Sequence, residues 1–274
     1  MNIKALLTLL VVSPTLISCA CHKVTPIARD KDEDPIVEED DNTPKVSELD
    51  ENHYNEFTTH YINKINTYKS YKAITSGKTV TKALFIDVTQ TIDVTSIKSE
   101  YSYLHNKSSS SMYSSEHIAY YHDGYALYKN KNDSKYTKVD MDAYLDKYGT
   151  YPFENRIEGY KVSGDALTSI TKLDNDDNGN HRFKLVLDKD KSTTNVKIQM
   201  RAFGELDDYP SFSSIEMIIT VKDDYTPINI ELDSKYKANK IISTDCHQTY
   251  TVTYSNYDED IDIPNLDDVK GLFE

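Results

Sequence analysis

Cysteine is scarce in this 274-residue chain: there are only Cys19, Cys21 and Cys246. The first two stand one residue apart and the third lies far away, so no disulfide framework is encoded. Long hydrophobic runs are also missing. After the apolar stretch from Ala5 to Val12, nothing approaches the roughly 20 residues of a membrane-spanning helix, and mean hydropathy is -0.62. Clustered positive charge is absent as well. The 31 lysines and arginines are outnumbered by 45 acids, for a net charge of -14, and the lysines are dispersed, often beside an aspartate. Nucleic acid needs clustered Lys and Arg against its phosphates, so it is excluded as a partner. There is no G-x-S-x-G nucleophile elbow and no glycine-rich phosphate loop. Tryptophan is absent, whereas tyrosine is abundant at 22 residues.

What is present begins at "LISCACHK", Leu16 to Lys23. Two cysteines and a histidine could be soft metal ligands, but a metal site needs a third and fourth ligand at suitable spacing. No second Cys or His cluster supplies them, so no metal or other cofactor is expected. Upstream, Lys4 precedes the apolar run, with a break at Ser13-Pro14: a short positive region followed by a signal-peptide core. Leu16, Ile17 and Ser18 before Cys19 resemble the bacterial lipobox. That resemblance implies cleavage before Cys19 and diacylation of its thiol, hence a lipid anchor at the outer face of the cell membrane. Cys21 is a poorer match and, with His22, begins a tether.

The segment "RDKDEDPIVEEDDNTPKVSELDE" is acidic, interrupted by Pro35 and Pro44, and poor in large apolar residues. It cannot bury enough surface to offset its ordering entropy, so disorder is expected. A tether of some 25 residues would reach about 25–30 Å. The expected organisation is a signal peptide over residues 1–18, an acidic tether over 19–46, and a single β-rich domain over 47–274.

Within that domain, Tyr54, Phe57, Tyr61, Ile65 and Tyr68 recur at helical spacing, with Ser47 or Asp50 as N-cap. The stripe predicts a helix docked on a sheet. Beyond Tyr71 the period becomes two: Val80, Leu84, Ile86, Val88, Ile92 and Val94 share one parity, predicting a long half-buried strand or a hairpin bent near Thr89. "HIAYYHDGYALYK" predicts a tight hairpin with Asp123-Gly124 at its tip. "VDMDAYLDKYG" predicts a short helix from Asp140 to Gly149. Alternation then predicts strands at Phe183–Leu187, at "NVKIQMRAF" with Val196, Ile198 and Met200, at Ile215–Val221, at Ile228–Leu232 and at Ile242–Tyr254. Cys246 falls on the apolar parity and is expected to be a buried thiol. The fold class is thus mainly β (α+β): a curved antiparallel sheet, or open half-barrel, covered by the N-terminal helix.

Candidate chemistry is thin. "DNDDNGN", Asp174 to Asn180, has the front half of a calcium loop, but the twelfth position is Leu185 where an EF-hand needs a bidentate Glu. Ser169 and Lys172 have the spacing of a penicillin-binding nucleophile motif, yet in a strand they point to opposite faces. His117 and His122 also alternate and are read as surface or hairpin residues. No catalytic residue is assigned.

Together the lipobox, the acidic tether, the amphipathic helix and the alternating strands resemble the LolA/LppX-like lipoproteins of Gram-positive bacteria. The local echoes are "SYKAITSGKT", the Ser-rich run before "AYYHDGYALYK", and "YSNYDEDIDIP". The resemblance covers roughly Glu48 to Pro264. It implies an open half-barrel with an apolar cavity under its helices, and a non-enzymatic binding or carrier role for a lipid or other hydrophobic ligand. Phe57, Tyr61 and Ile65 are the candidate ligand-binding residues. The membrane, through the diacylglyceryl Cys19, is the expected partner, and the protein is expected to be a monomer. The alternative is a structural or adhesive module at the envelope whose Tyr-rich surface engages wall polymer or a partner protein; a hydrolase ranks behind both.

Overall fold

The computed structural model describes residues 43–83, 86–111, 114–151, 153, 159–204, 206–240 and 242–274. Cys19, Cys21, His22, Leu84 and the acidic segment up to residue 42 lie outside these residues, whereas the end of that segment is ordered rather than disordered: Val46–Glu48 forms a 3-10 turn, and Val46 is fully buried with its N donating to Asp223 O at 3.0 Å. The strands are β1 (Tyr71–Ala83), β2 (Ile86–Lys98), β3 (Ser102–Ser110), β4 (Ser114–His122), β5 (Tyr125–Asn130), β6 (Thr137–Asp140), β7 (Leu167–Leu173), β8 (His181–Leu187), β9 (Ser211–Val221), β10 (Pro227–Lys240) and β11 (Ile242–Ser255). They form one open 11-stranded sheet in the order β6-β5-β4-β3-β2-β1-β11-β10-β9-β8-β7. Every pairing is antiparallel. The first half of the chain meanders outward to β6. The second half starts at the far edge, β7, and meanders back until β11 zips against β1.

The β1–β2 hairpin corrects the single-parity reading of "TVTKALFIDVTQTIDVT". Ala83 pairs with Ile86, so the chain reverses between these two residues rather than near Thr89. This register pairs odd-numbered residues of β1 with even-numbered residues of β2, which changes the parity that faces inward. Thr75 and Thr79 on β1 therefore share a face with Ile92 and Val94 on β2, while Val80 pairs with Thr89 on the other face. Asp123 and Gly124 form the β4–β5 turn with φ values of 47° and 81°, the left-handed pair that a twisted hairpin demands.

Among the described residues four α-helices accompany the sheet: α1 (Phe57–Thr67), α2 (Met141–Tyr148), α3 (Thr194–Gly204) and the short α4 (Leu266–Val269). Asp50 caps the 3-10 turn leading into α1 by accepting from Asn52 N at 2.8 Å. In α2, Asp140 accepts from Ala143 N at 2.8 Å and Gly149 closes the helix at φ 67°. The α3 segment is where alternation misled: "NVKIQMRAF" is helical. Val196, Gln199 and Phe203 recur at spacings of 3 and 4, so the same short run satisfies both periods. The Ser192-Thr193 pair before it decides the outcome. Their hydroxyls donate to Asp188 O and Lys189 O at 2.6 Å each, and Thr193 O receives Lys197 N at 2.8 Å.

The two faces of the sheet are covered differently. Most of the core lies on the face under α1, α2 and α3. On the opposite face, the C-terminal tail packs Ile263 and Val269 against Ile97, Tyr103, Tyr120 and Leu127, with Tyr120 Oη donating to Pro264 O at 2.9 Å. Gly77 sits at the centre of the sheet, where a Cβ would lie 2.3 Å from both Thr249 O and Tyr250 Cδ1. Only glycine lets the ring of Tyr250 cross β1 there.

Candidate functional site: the helix-covered face

Register alone defines rows of side chains across this face. One runs Ile170, Leu185, Met217, Leu232, Tyr250, Gly77, Ile92, Ser108, Ser115. The next runs Lys172, Phe183, Ile219, Ile230, Val252, Thr75, Val94, Asn106, His117, Asn130. Both change character along their length. The first is apolar from β7 to β11 and the second from β8 to β11, and both become increasingly polar from β1 to β5.

The apolar half lies under α1. Phe57 is fully buried and stacks on Phe183 at a ring separation of 4.0 Å, with Tyr54 edge-on to Phe183 at 5.5 Å. Burying such a side chain contributes about 2–3 kcal/mol, which fixes the helix on β8. Tyr61 is also buried, and Ile65 packs at the margin of the same cluster. The structure thus brings the three candidate residues together on one helix face, with Phe57 and Tyr61 engaged by protein rings. Tyr68 anchors the end of the helix through a 2.6 Å hydrogen bond between its hydroxyl and Thr226 Oγ1.

The polar half lies under α2 and α3, and its centre is His117, a buried residue rather than the surface one expected. Its Nδ1 lies 3.0 Å from Asn130 Oδ1 and its Nε2 lies 2.9 Å from Tyr144 Oη. Asn130 Oδ1 can only accept, so Nδ1 donates and Nε2 accepts from the tyrosine, which is the neutral tautomer. The rings of Tyr128, Tyr144, Tyr148 and Phe203 enclose it at 4.8 to 6.1 Å. Burial brings its pKa down to about 4, with the Lys147 ammonium lowering it further against the opposing bond from Asn130. Both nitrogens are occupied, so His117 is no base for Ser108 or Ser115. Those hydroxyls bond each other at 2.9 Å, and Ser108 accepts from Gln90 Nε2 at 2.8 Å. Cys246 is buried on the same face and burial raises its pKa, which leaves an unreactive thiol.

The same face carries buried hydroxyls that sequence reasoning passed over. Thr75 Oγ1, Ser96 Oγ and Ser234 Oγ are buried without a hydrogen-bond partner, on residues with 0% exposure. Thr75 and Ser96 are diagonal neighbours on β1 and β2; Ser234 lies on β10. The only available signal was polar residues at apolar parity, and strands tolerate those often. The tip at Asp174–Asn180 is a hairpin loop in which the Asp176 carboxylate accepts from Asn178 N, Asn180 N and Asn180 Nδ2 at 2.8 to 2.9 Å. Among the described residues no group of His, Cys, Asp and Glu could hold a metal ion, and no helix is long and apolar enough to cross a membrane.

No protein-family profile and no curated protein matches the chain. Among solved structures, LprF from Mycobacterium bovis is similar at 10% identity and TM-score 0.36, over 77% of this chain and 93% of that one. A LolA superfamily protein from Nitrosomonas europaea is similar at 12% identity and TM-score 0.27, over 74% and 90%. A DUF1329 family protein from Desulfovibrio piger joins them at 10% identity and TM-score 0.27, over 82% and 97%. At these scores the likeness says nothing of what this chain binds.

Proposed function

We propose that this protein is a non-enzymatic, lipid-anchored envelope protein that binds an apolar ligand carrying a few oxygen atoms, such as an acyl lipid, between its sheet and helices. Cys19 would bear the anchor, the residues from Cys19 to the ordered turn at Val46 would act as the spacer, and the rest of the chain, with Val46 in its core, would work as one monomeric binding domain. The observation that carries the reading is the set of orphan hydroxyls on Thr75, Ser96 and Ser234, buried among the core residues of the helix-covered face. Leaving each unpartnered in a permanently dry core costs about 1–3 kcal/mol. A ligand's ester or hydroxyl oxygens would satisfy them while its chain covers Ile92, Val94 and Val252.

A second reading is a structural or adhesive module with a closed core. The stack of Phe57 on Phe183 favours it for the α1 end, because those rings are already occupied by each other. The two readings part on one experiment. The full chain carrying Cys19→Ala, purified from a bacterial host, should show lipid adducts by native mass spectrometry and take up a fluorescent fatty acid. Empty protein that takes up nothing would sink the carrier reading and leave the module.

A further inference from the structure

A small polar cavity of about 280 Å³ lies between α2 and α3, bordered by Asp146, Lys147, Ile198, Arg201, Leu206 and Tyr209. It is built by the way α3 ends. Leu206 N donates to Arg201 O at 3.1 Å, which folds the chain back and brings Tyr209 against the helix. The Arg201 guanidinium then lies 5.0 Å from the centre of the Tyr209 ring. A flat cation stacked on a ring keeps its hydrogen-bonding edge free.

Among the described residues nothing pairs with that edge. Arg201 Nε is buried without a partner, and no carboxylate pairs with Arg201 among the described residues. This is against the odds in a chain with 45 acids and 31 basic residues. Lysines elsewhere find partners readily, as in Lys184–Glu216 at 2.7 Å and Lys191–Asp165 at 3.2 Å. Lys147, from the last turn of α2, borders the same cavity. One of its three protons goes to Tyr128 Oη at 2.9 Å, and the Tyr128 and Tyr148 rings flank it at 4.7 and 5.0 Å. Asp146, the carboxylate in this lining, has a partner of its own.

We propose that this cavity is an oxyanion site in which the unpaired edge of Arg201, supported by Lys147, binds a phosphate group. A guanidinium fork matches two phosphate oxygens, and such charge-assisted bonds are about twice as strong as neutral ones. The cavity is too small for a whole apolar ligand, which takes about 300–1,000 Å³. Ile198 and Ala202 lead from it toward the buried side of α3, so a phosphate held here can carry an acyl tail inward. In that form the inference rests on the carrier reading above. A free phosphate uses the same chemistry without it.

The test uses the full chain with Cys19→Ala. Inorganic phosphate is titrated calorimetrically, and uptake of dioleoylphosphatidylglycerol is compared with that of uncharged dioleoylglycerol. Phosphate should bind, and phosphatidylglycerol should be preferred over dioleoylglycerol. Arg201→Gln should weaken both effects about tenfold, and Arg201→Lys should restore part. Arg201 is a partly exposed helical residue, so unchanged near-ultraviolet circular dichroism should accompany both variants. Phosphate binding without any lipid uptake would uphold the site, assign it to free phosphate and sink the carrier reading. Uptake of both lipids alike, indifferent to Arg201→Gln, would uphold the carrier and overturn the site. Absence of phosphate and phosphatidylglycerol binding would overturn it too.

Discussion

Tyr144 on α2 donates its hydroxyl proton to the ring of His117 on β4 across 2.9 Å, so the helix is held to the sheet by a bond that requires a neutral imidazole. The folded pKa of about 4 lies below the ordinary value of 6.5. Between those values the unfolded chain binds the proton and the folded chain does not. Stability is therefore fullest above pH 6.5 and falls as pH is lowered toward 4, by on the order of 3 kcal/mol for this residue. His60, whose pKa burial also lowers, adds to the trend with the same sign. Urea unfolding at pH 7 and pH 4.5 should show the loss. In His117→Gln, which keeps polar contacts but cannot titrate, the pH dependence should flatten; an unaltered slope would refute this account.

Gly77→Ala should cost about 3 kcal/mol, the upper range for overpacking, because its Cβ would fall 2.3 Å from backbone and ring atoms of β11. Gly271→Ala, with nothing within 4 Å, is the matched control and should be neutral. Thermal unfolding of the two variants side by side checks this.

Cys246 should resist modification in the folded protein. In a chain with Cys19→Ala and Cys21→Ala, a thiol reagent should label almost nothing before denaturant is added and one thiol per chain afterwards, as its burial and raised pKa require. Rapid labelling of the native protein would mean that the helix-covered face opens.

Cys19→Ala should abolish acylation and membrane retention in the producing bacterium. Fractionation and mass spectrometry of the amino-terminal peptide read this directly. Membrane-bound, acylated protein in that variant would overturn the assignment of the anchor.

How much of the fold could be read beforehand depends on how local its cause is. The stripe from Tyr54 to Tyr68, the Asp140 cap with Gly149, and the Asp123-Gly124 turn each have their reason within a few neighbouring residues. They came through to the structure. The α3 run failed because Val196, Ile198 and Met200 fit a strand while Val196, Gln199 and Phe203 fit a helix; the distant sheet face that accepts the helix was invisible. Val80 failed because the register that pairs Ala83 with Ile86 swaps parity without disturbing the alternation. His117 and the orphan hydroxyls were illegible for a deeper reason. Their burial is imposed by α2, α3 and strands that meet them only through register, and no spacing along the chain encodes that.

The junction of β1 with β11 has a consequence for synthesis and truncation. Lys72 pairs with Ser255 and Lys82 with Asp245, so the last strand to be made lies in the middle of the finished sheet. Until it is complete, each meander presents a long unpaired edge, a template for pairing with other chains. Removing the chain from Ile242 onward would therefore not trim a border. It would cut the sheet into two separate halves, a loss out of proportion to the length removed.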